Sequence, residues 1–213
     1  MPEIREAFES DVDNIAKVHH ECWLEHYHFL PDAVQKARPY EYRQWQWQRY
    51  FEGRGPEGGM LFSVISDHGL LIGFGFACAN SDPAIAAKGE LHAAYISPGH
   101  RGGVAGGMLL LAMVDHLEEC GLWPACIWAW RENKIRLNYS LLGFKVVVRR
   151  CRTINGVDVP EVGYISPDAA VIRRRVEAGL KIRSARDAWQ KNPPHSQISH
   201  HPHLFVDRRK YLQ

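Results

Sequence analysis

A mixed α/β (α+β) fold built around one central sheet is what this sequence predicts, and three observations predict it. Short β-prone runs bounded by turn residues recur along the chain, as in Met60–Ser66 and Leu70–Ala79 around Asp67-His68-Gly69. Between such runs lie stretches with apolar residues at helical spacing, of which Leu109, Met113 and Leu117 are the clearest. The 213 residues, 46% of them hydrophobic and seven of them tryptophan, supply apolar material for a real core and argue against global disorder.

Glu3 to Ala7 opens the chain as a short strand. Ser10, with an acid three residues on at Asp13, then reads as a helix start. Ile15, Val18, His19 and Cys22 recur at helical spacing, and the helix is expected to end between Trp23 and Tyr27, because Pro31 soon follows. In PYEYRQWQWQRYF (39–51) the W-x-W alternation suits a strand, whereas Tyr42, Trp45 and Arg49 suit a helix; the helix is favoured. GRGPEGG (53–59) is a loop on composition. After the Met60–Ala79 hairpin come a loop over 81–89 and a strand, ELHAAYI, over 90–96. A glycine-rich stretch then leads into a helix over 105–120 that Gly121 stops. PACIWAW (124–130) reads as a buried strand, Glu132–Leu142 as a helix closed by Gly143, and Phe144–Arg152 with Val157–Ile165 as a hairpin about Asn155-Gly156. Ser166-Pro167-Asp168 looks like a cap with proline at the first helical position, and it starts a basic helix with Ile172, Val176 and Leu180 on one stripe.

Charge is unevenly spread. From Asp168 onward ten Lys and Arg face four acids, which leaves sixteen basic and twenty acidic residues in the first 167. No run of eighteen apolar residues exists, so no membrane span is expected, and MPEIREAFESDVDN is too acidic for a signal peptide. Five widely spaced cysteines without a CxxC pair read as reduced thiols, which points to a cytoplasmic protein.

The stretch SPGHRGGVAGGMLLL (97–111) carries the chemistry. Unpaired N–H groups and the positive end of the peptide dipole make a helix start attractive to phosphate, and glycines let the phosphate approach the backbone. A nucleoside-triphosphate loop would need GK[ST] at the helix entry, which is missing. A dinucleotide loop would need GxGxxG in a parallel βαβ unit, whereas here a hairpin precedes and the register differs. A plain glycine-rich surface turn is the remaining rival.

The neighbouring residues decide between them. Tyr95-Ile96-Ser97-Pro98, then Arg101-Gly102-Gly103-Val104-Ala105-Gly106 and Leu109-Leu110, resemble the signature of the GNAT superfamily of N-acetyltransferases. WAWREN (128–133) is similar to that family's fifth strand and its Asn, and YSLLGF (139–144) to its Tyr-x-x-x-Gly-Phe. Ile15–Pro31 is similar to the first helix region of one GNAT subgroup, with Trp23 and Tyr27 four apart. The resemblance covers about Glu3 to Ile165. It divides the chain into a GNAT-like acetyltransferase domain (1–167), a basic C-terminal helix (168–190) and a flexible tail (191–213). Two positions depart from the pattern. Val104 stands in place of a glycine, and Asn133 and Tyr139 are one residue closer than usual, a rotation of about 100° on a helix.

The resemblance implies a GNAT-like, mostly antiparallel sheet flanked by helices, and acetyl-CoA as cosubstrate. Its pyrophosphate would lie on the backbone of Arg101, Gly102, Gly103, Val104, Ala105 and Gly106, with pantetheine along Ala94, Tyr95 and Ile96 and with Asn133 nearby. The strand would splay from 124–130 and free an N–H for the oxyanion. Tyr139 is the candidate acid; Glu90 and His92, on one face of their strand, are candidate bases through a water. Trp23 and Tyr27 would lie on the acceptor side, where Glu21 and Glu25 could meet a cationic amine. The expected reaction is direct acetyl transfer to a primary amine, on a small molecule or a peptide, in a ternary complex. A non-catalytic GNAT-fold protein that binds CoA or a partner is the alternative, and it rests on the two departures.

No metal is expected. His200-His201-x-His203 lacks a supporting carboxylate in its Pro-rich stretch, and His19-His20 reads as partly buried polar surface. No cysteine sits beside a plausible base, which disfavours covalent catalysis. The apolar stripe of the basic helix favours docking onto the domain or, as a homodimer, onto a second subunit. Nucleic acid is disfavoured because no aromatic or motif support accompanies the charge.

Overall fold

The computed structural model describes residues 1–191. Its sheet is built out from the hairpin of Met60–Ile65 (β2) and Leu71–Ala79 (β3), which pairs Met60 with Ala77 through Val64 with Gly73 and then shifts register to set Ile65 opposite Leu71. Glu3–Glu6 (β1) adds to β2 and Gly89–Ile96 (β4) to β3, both antiparallel. Ala125–Trp130 (β5) follows, then Val157–Ser166 (β7) and, at the far edge, Lys145–Ile154 (β6), giving the order β1-β2-β3-β4-β5-β7-β6. Only β4 and β5 are parallel neighbours, and they meet at the centre of the sheet. A mostly antiparallel sheet flanked by helices is therefore the observed architecture.

Alternating side chains leave both faces apolar, and helices cover each. On one face Val12–His26 (α1) and Tyr40–Arg49 (α3) bury Ile15, Cys22 and Trp47 against Leu61, Phe74 and Phe76. On the other, Ala105–Glu119 (α4) buries Leu109, Met113, Val114 and Leu117 against Val64, Leu91 and Ile127. Each of these α4 side chains is worth about 1.5–3 kcal/mol of hydrophobic burial. Ala169–Lys191 (α6) lays Ile172 and Val176 on α4, and it comes so close that a Cβ on Gly107 would sit 2.7 Å from Leu180. Of the two placements the stripe allowed, its own domain or a second subunit, α6 takes the first in this chain. Arg173 secures it, holding Asp115 and Glu118 of α4.

Several local expectations are corrected. Ser10 with Asp13 does not start α1; a 3₁₀ turn over Glu9–Asp11 leads into it, and the Asp11 carboxylate fixes that turn by accepting the Phe8 N–H at 2.9 Å, the Ser63 hydroxyl at 2.8 Å and both terminal nitrogens of Arg5. Asp168, rather than Ser166, caps α6 by accepting the Ala170 N–H at 2.8 Å, because Ser166 still belongs to β7. The helix expected from Glu132 begins only at Leu137 (α5, Leu137–Leu142), after a single 3₁₀ turn over Lys134–Arg136. Asp32–Lys36 (α2) was not foreseen; five residues are too few to show a period, and Val34 anchors it in the core. His19 is core and not surface, only 4% exposed. The tail, and with it His200, His201 and His203, lies outside the described residues from 192 onward.

Candidate active site

β4 and β5 pair at only two positions, Gly89 with Ala125 and Glu90 with Cys126. Beyond Glu90 the strands part, so residues 91–96 keep β3 on one side and lose their neighbour on the other. Backbone groups along such an edge need partners from elsewhere. A bulge sharpens the opening: Phe76 pairs with Ala93 and Ala77 with Leu91, which leaves His92 without an opposite residue. The extra residue shifts the alternation. Leu91 and Ile96 both pack towards α4, while Ala93 and Tyr95 pack towards α1.

Where β4 ends, Pro98–His100 makes a 3₁₀ turn and the chain enters the glycine loop. Gly102 takes φ +82°, the left-handed region that glycine occupies without strain. Val104 has φ −85° and ψ −18°, ordinary helical values, so a valine fits here with no strain. A Cβ at Gly102 or Gly103 would meet nothing within 4 Å. The first helical bond runs from the Met108 N–H to the Val104 carbonyl at 3.0 Å; earlier N–H groups have no intrahelical acceptor.

Two arginines of α6 orient this loop. Arg183 Nη1 donates to the Gly103 carbonyl at 2.9 Å and Arg186 Nη2 to the Gly102 carbonyl at 3.2 Å. In a trans peptide the N–H points opposite to the carbonyl, so the Gly103 and Val104 N–H groups face away from α6. The Arg101 guanidinium, by contrast, turns inward. It donates to the Ile96 carbonyl at 2.7 Å and pairs with Glu25 at 2.8 Å, tying the loop to α1. Glu25 is thereby engaged by Arg101, while Glu21 is exposed.

A cleft of about 540 Å³ runs from this loop through the split. Its lining brings together Ala94, Tyr95, Ile96, Arg101, Gly102, Gly103 and Gly106 with Glu90, His92, Trp23, Tyr27, Asn133 and Tyr139. Val104 and Ala105 do not line it; they form the helix entry behind the loop. Tyr95 contributes backbone, its ring being stacked on Phe74 and hydrogen-bonded to Tyr27 at 3.3 Å. The Glu90 carboxylate and His92 Nδ1 lie 2.8 Å apart. Asn133 Oδ1 accepts the Ile135 N–H at 3.0 Å and so caps the turn that delays α5.

That delay settles where Tyr139 goes. Gly143 at φ +103° closes α5, with the Gly143 N–H on the Ser140 carbonyl and the Phe144 N–H on the Tyr139 carbonyl at 3.0 Å. The Phe144 ring packs edge-on against Tyr139, so the Gly-Phe pair fixes the tyrosine at the cleft. Burial, with Tyr95 and Tyr164 close by, pushes the Tyr139 hydroxyl well above its ordinary pKa. The phenol is therefore protonated at neutral pH.

Sequence reasoning missed the opposite wall. Arg43 of α3 lines the cleft while only 2% exposed, its guanidinium 4.6 Å from the Trp23 ring. Arg38 and Gln46 lie beside it in the lining. The missing signal was the depth of α3: Arg43 stands four residues before Trp47, on the same buried stripe. Arg183 was passed over because α6 follows the matched region. Among the described residues, no group of three or more His, Cys, Asp or Glu is placed to hold a metal, and no helix is long and apolar enough to cross a membrane.

No family model matches the chain. It is 26% identical over 174 residues to an uncharacterized N-acetyltransferase, YuaI, of Bacillus subtilis, a span of 81% of this chain and 97% of that protein. A GCN5-related N-acetyltransferase from Rhodopseudomonas palustris superposes with a TM-score of 0.62 at 14% identity, over 79% of this chain and 96% of that one. The acetyltransferase yncA of Salmonella typhimurium, solved with its cofactor acetyl-CoA, gives 0.55 at 20% identity, over 78% and 94%. Split sheet, glycine loop and neighbours agree: the chain has the fold of the GNAT N-acetyltransferases.

Proposed function

We propose that this protein moves an acetyl group from acetyl-CoA to a primary amine by direct attack in a ternary complex. The observation that carries the reading is the cleft itself, which leads without interruption from a helix-entry glycine loop into a sheet opened beyond Glu90. Acetyl-CoA bound to the yncA neighbour supports the choice of cosubstrate. Loop amides, those of Gly102, Gly103 and Gly106 foremost, would hold the diphosphate, with pantetheine along Ala94–Ile96. An N–H of the parted strand would stabilise the oxyanion.

An alkyl ammonium, with a pKa near 10.4, must lose a proton before it attacks. In this reading the Glu90–His92 pair takes that proton through a water. The amine nitrogen then bonds to the thioester carbonyl carbon, the C–S bond breaks, and the Tyr139 hydroxyl donates to the departing thiolate. The ordinary backbone at Val104 and the late start of α5 support the catalytic reading over a non-catalytic one. Calorimetry with acetyl-CoA tests the reading: binding with release of CoA thiol in an amine screen is expected, and absence of binding overturns it.

A further inference from the structure

The geometry points to an acceptor that is itself an anion: an amine carrying a carboxylate on the same small molecule, the carboxylate seated on Arg43. This rests on the acetyl-transfer reading above and names the substrate class for it.

Other partly buried arginines of the chain take carboxylate partners. Arg5 holds Asp11, Arg101 holds Glu25, Arg150 holds Asp82 and Glu161, and Arg173 holds Asp115 and Glu118. Their side chains retain between 25% and 34% of their exposure. Arg43 is far more buried, yet no described carboxylate pairs with it. Among the described residues its guanidinium has one hydrogen bond, from Nη1 to Gln46 Oε1 at 3.1 Å, and Nε and Nη2 are buried without partners there. Taking a guanidinium out of water with no counter-charge is among the costliest arrangements in a protein. Burial holds its pKa down at about 10, which still leaves it charged at neutral pH.

The two unpartnered nitrogens matter by position. Nε and Nη2 form one edge of the guanidinium, the planar fork that matches a carboxylate with two parallel N–H···O bonds. Gln46 takes Nη1 and leaves that edge to the ligand, while stacking on Trp23 fixes the plane of the fork. Arg38, also in the lining, adds a second positive charge to this wall and repels a dication. The amine end has its own place. Arg43, His19, Glu90 and His92 all line the one cleft, so the anion seat and the Glu90–His92 pair open into the same space.

The test is steady-state acetylation by the full chain of L-phenylalanine, L-methionine and L-leucine against their decarboxylated amines, read by CoA thiol release. We expect kcat/KM at least about 30-fold higher for carboxylate-bearing members, a preference that Arg43→Gln abolishes through KM while the acetyl-CoA Kd stays within about two-fold. Arg43→Lys, which keeps the charge without the fork, should restore part of it. Arg43→Gln should also raise the melting temperature by several degrees, the mark of an unpaired charge kept for a ligand. A structural arginine would instead lower it. Equal or better use of the decarboxylated amines overturns the inference and leaves acetyl transfer standing, as does acetyl-CoA binding without turnover of any amino acid. Failure to bind acetyl-CoA removes the underlying reading, and the inference with it. Should Arg43→Gln not fold, an unchanged carboxylate preference in Arg43→Lys overturns the inference alone.

Discussion

The glycine loop at the entry of α4 and the α1–α3 wall across the cleft handle charge in opposite ways. Around the loop each cation already has a protein partner: Arg101 with Glu25, Arg183 and Arg186 on loop carbonyls. What the loop offers a ligand is backbone, in open space. Across the cleft the backbone is shut away in helices and the offer comes from side chains, with Arg43 buried among Trp23, Gln46 and Tyr42. A site made of main chain depends on local conformation and tolerates substitution, as Val104 shows. A site made of buried side chains depends on what two helices bring together, and one residue can change its specificity.

The largest effect should come from breaking the loop half alone. Gly103→Glu places a carboxylate where the diphosphate would lie, with no protein atom within 4 Å of the new Cβ. We expect acetyl-CoA affinity to fall about 100-fold or more, roughly 2.7 kcal/mol, with little change in melting temperature. Calorimetry and a thermal melt check both parts; unaltered affinity would place the coenzyme elsewhere.

Between the halves stands Tyr139, and Tyr139→Phe asks whether its hydroxyl acts or only packs. No described residue hydrogen-bonds that hydroxyl, so its loss should not disturb the fold. A drop in kcat of about 10-fold to 100-fold, with the acetyl-CoA Kd unchanged, is the expected result. A KM effect with kcat intact would make it a packing residue.

The same division explains what could be read in the sequence. The loop, the leucine-rich helix behind it and the Tyr-x-x-x-Gly-Phe block are local patterns in which glycine positions and periods carry the information, and the split sheet followed from them by resemblance. Tertiary facts stayed hidden. The bulge at His92 reverses side-chain alternation after Leu91, and nothing in ELHAAYI announces it. Asp11 draws Arg5, Phe8 and Ser63 together from three elements, which no local cap rule contains. Arg43 looked like one more polar residue in QWQWQR, because its burial comes from packing and not from the neighbouring sequence.

The acceptor wall should also show in the acid stability of the fold. His19 is buried among Trp47, Phe74 and Tyr95, and its Nδ1 accepts the Trp47 indole N–H at 3.2 Å. Burial first, and then Arg43 and His92, hold its pKa well below 6.5. Below that pH the unfolded chain takes up a proton that the folded one refuses, so stability present above about pH 6.5 is lost as the pH falls towards the folded value. One such proton is worth at most about 1.4 kcal/mol per pH unit. His19→Phe should lessen the loss between pH 6.5 and 5.5 by up to that amount in urea unfolding. Equal pH slopes in the two proteins would remove His19 as the cause.

The smallest effect concerns the loop's outer support. Arg183 reaches Gly103 from α6, an element beyond the stretch that resembles the acetyltransferase family, and its side chain is exposed. An exposed charge-assisted bond contributes little energy by itself, about 1 kcal/mol or less. Its proposed value lies in direction: by holding the Gly103 carbonyl it fixes the peptide whose Val104 N–H stands at the entry of α4. Arg183→Ala should therefore weaken acetyl-CoA about five-fold, and Arg183→Lys should recover part of the loss, since an ammonium can still reach a carbonyl. If Arg183 acted only as a positive charge beside the coenzyme, Arg183→Lys would recover nearly all affinity and added salt would erase the remainder. If it acts through the loop, the Arg183→Ala deficit persists at high salt, and the extra helix becomes a working part of the backbone half of the site.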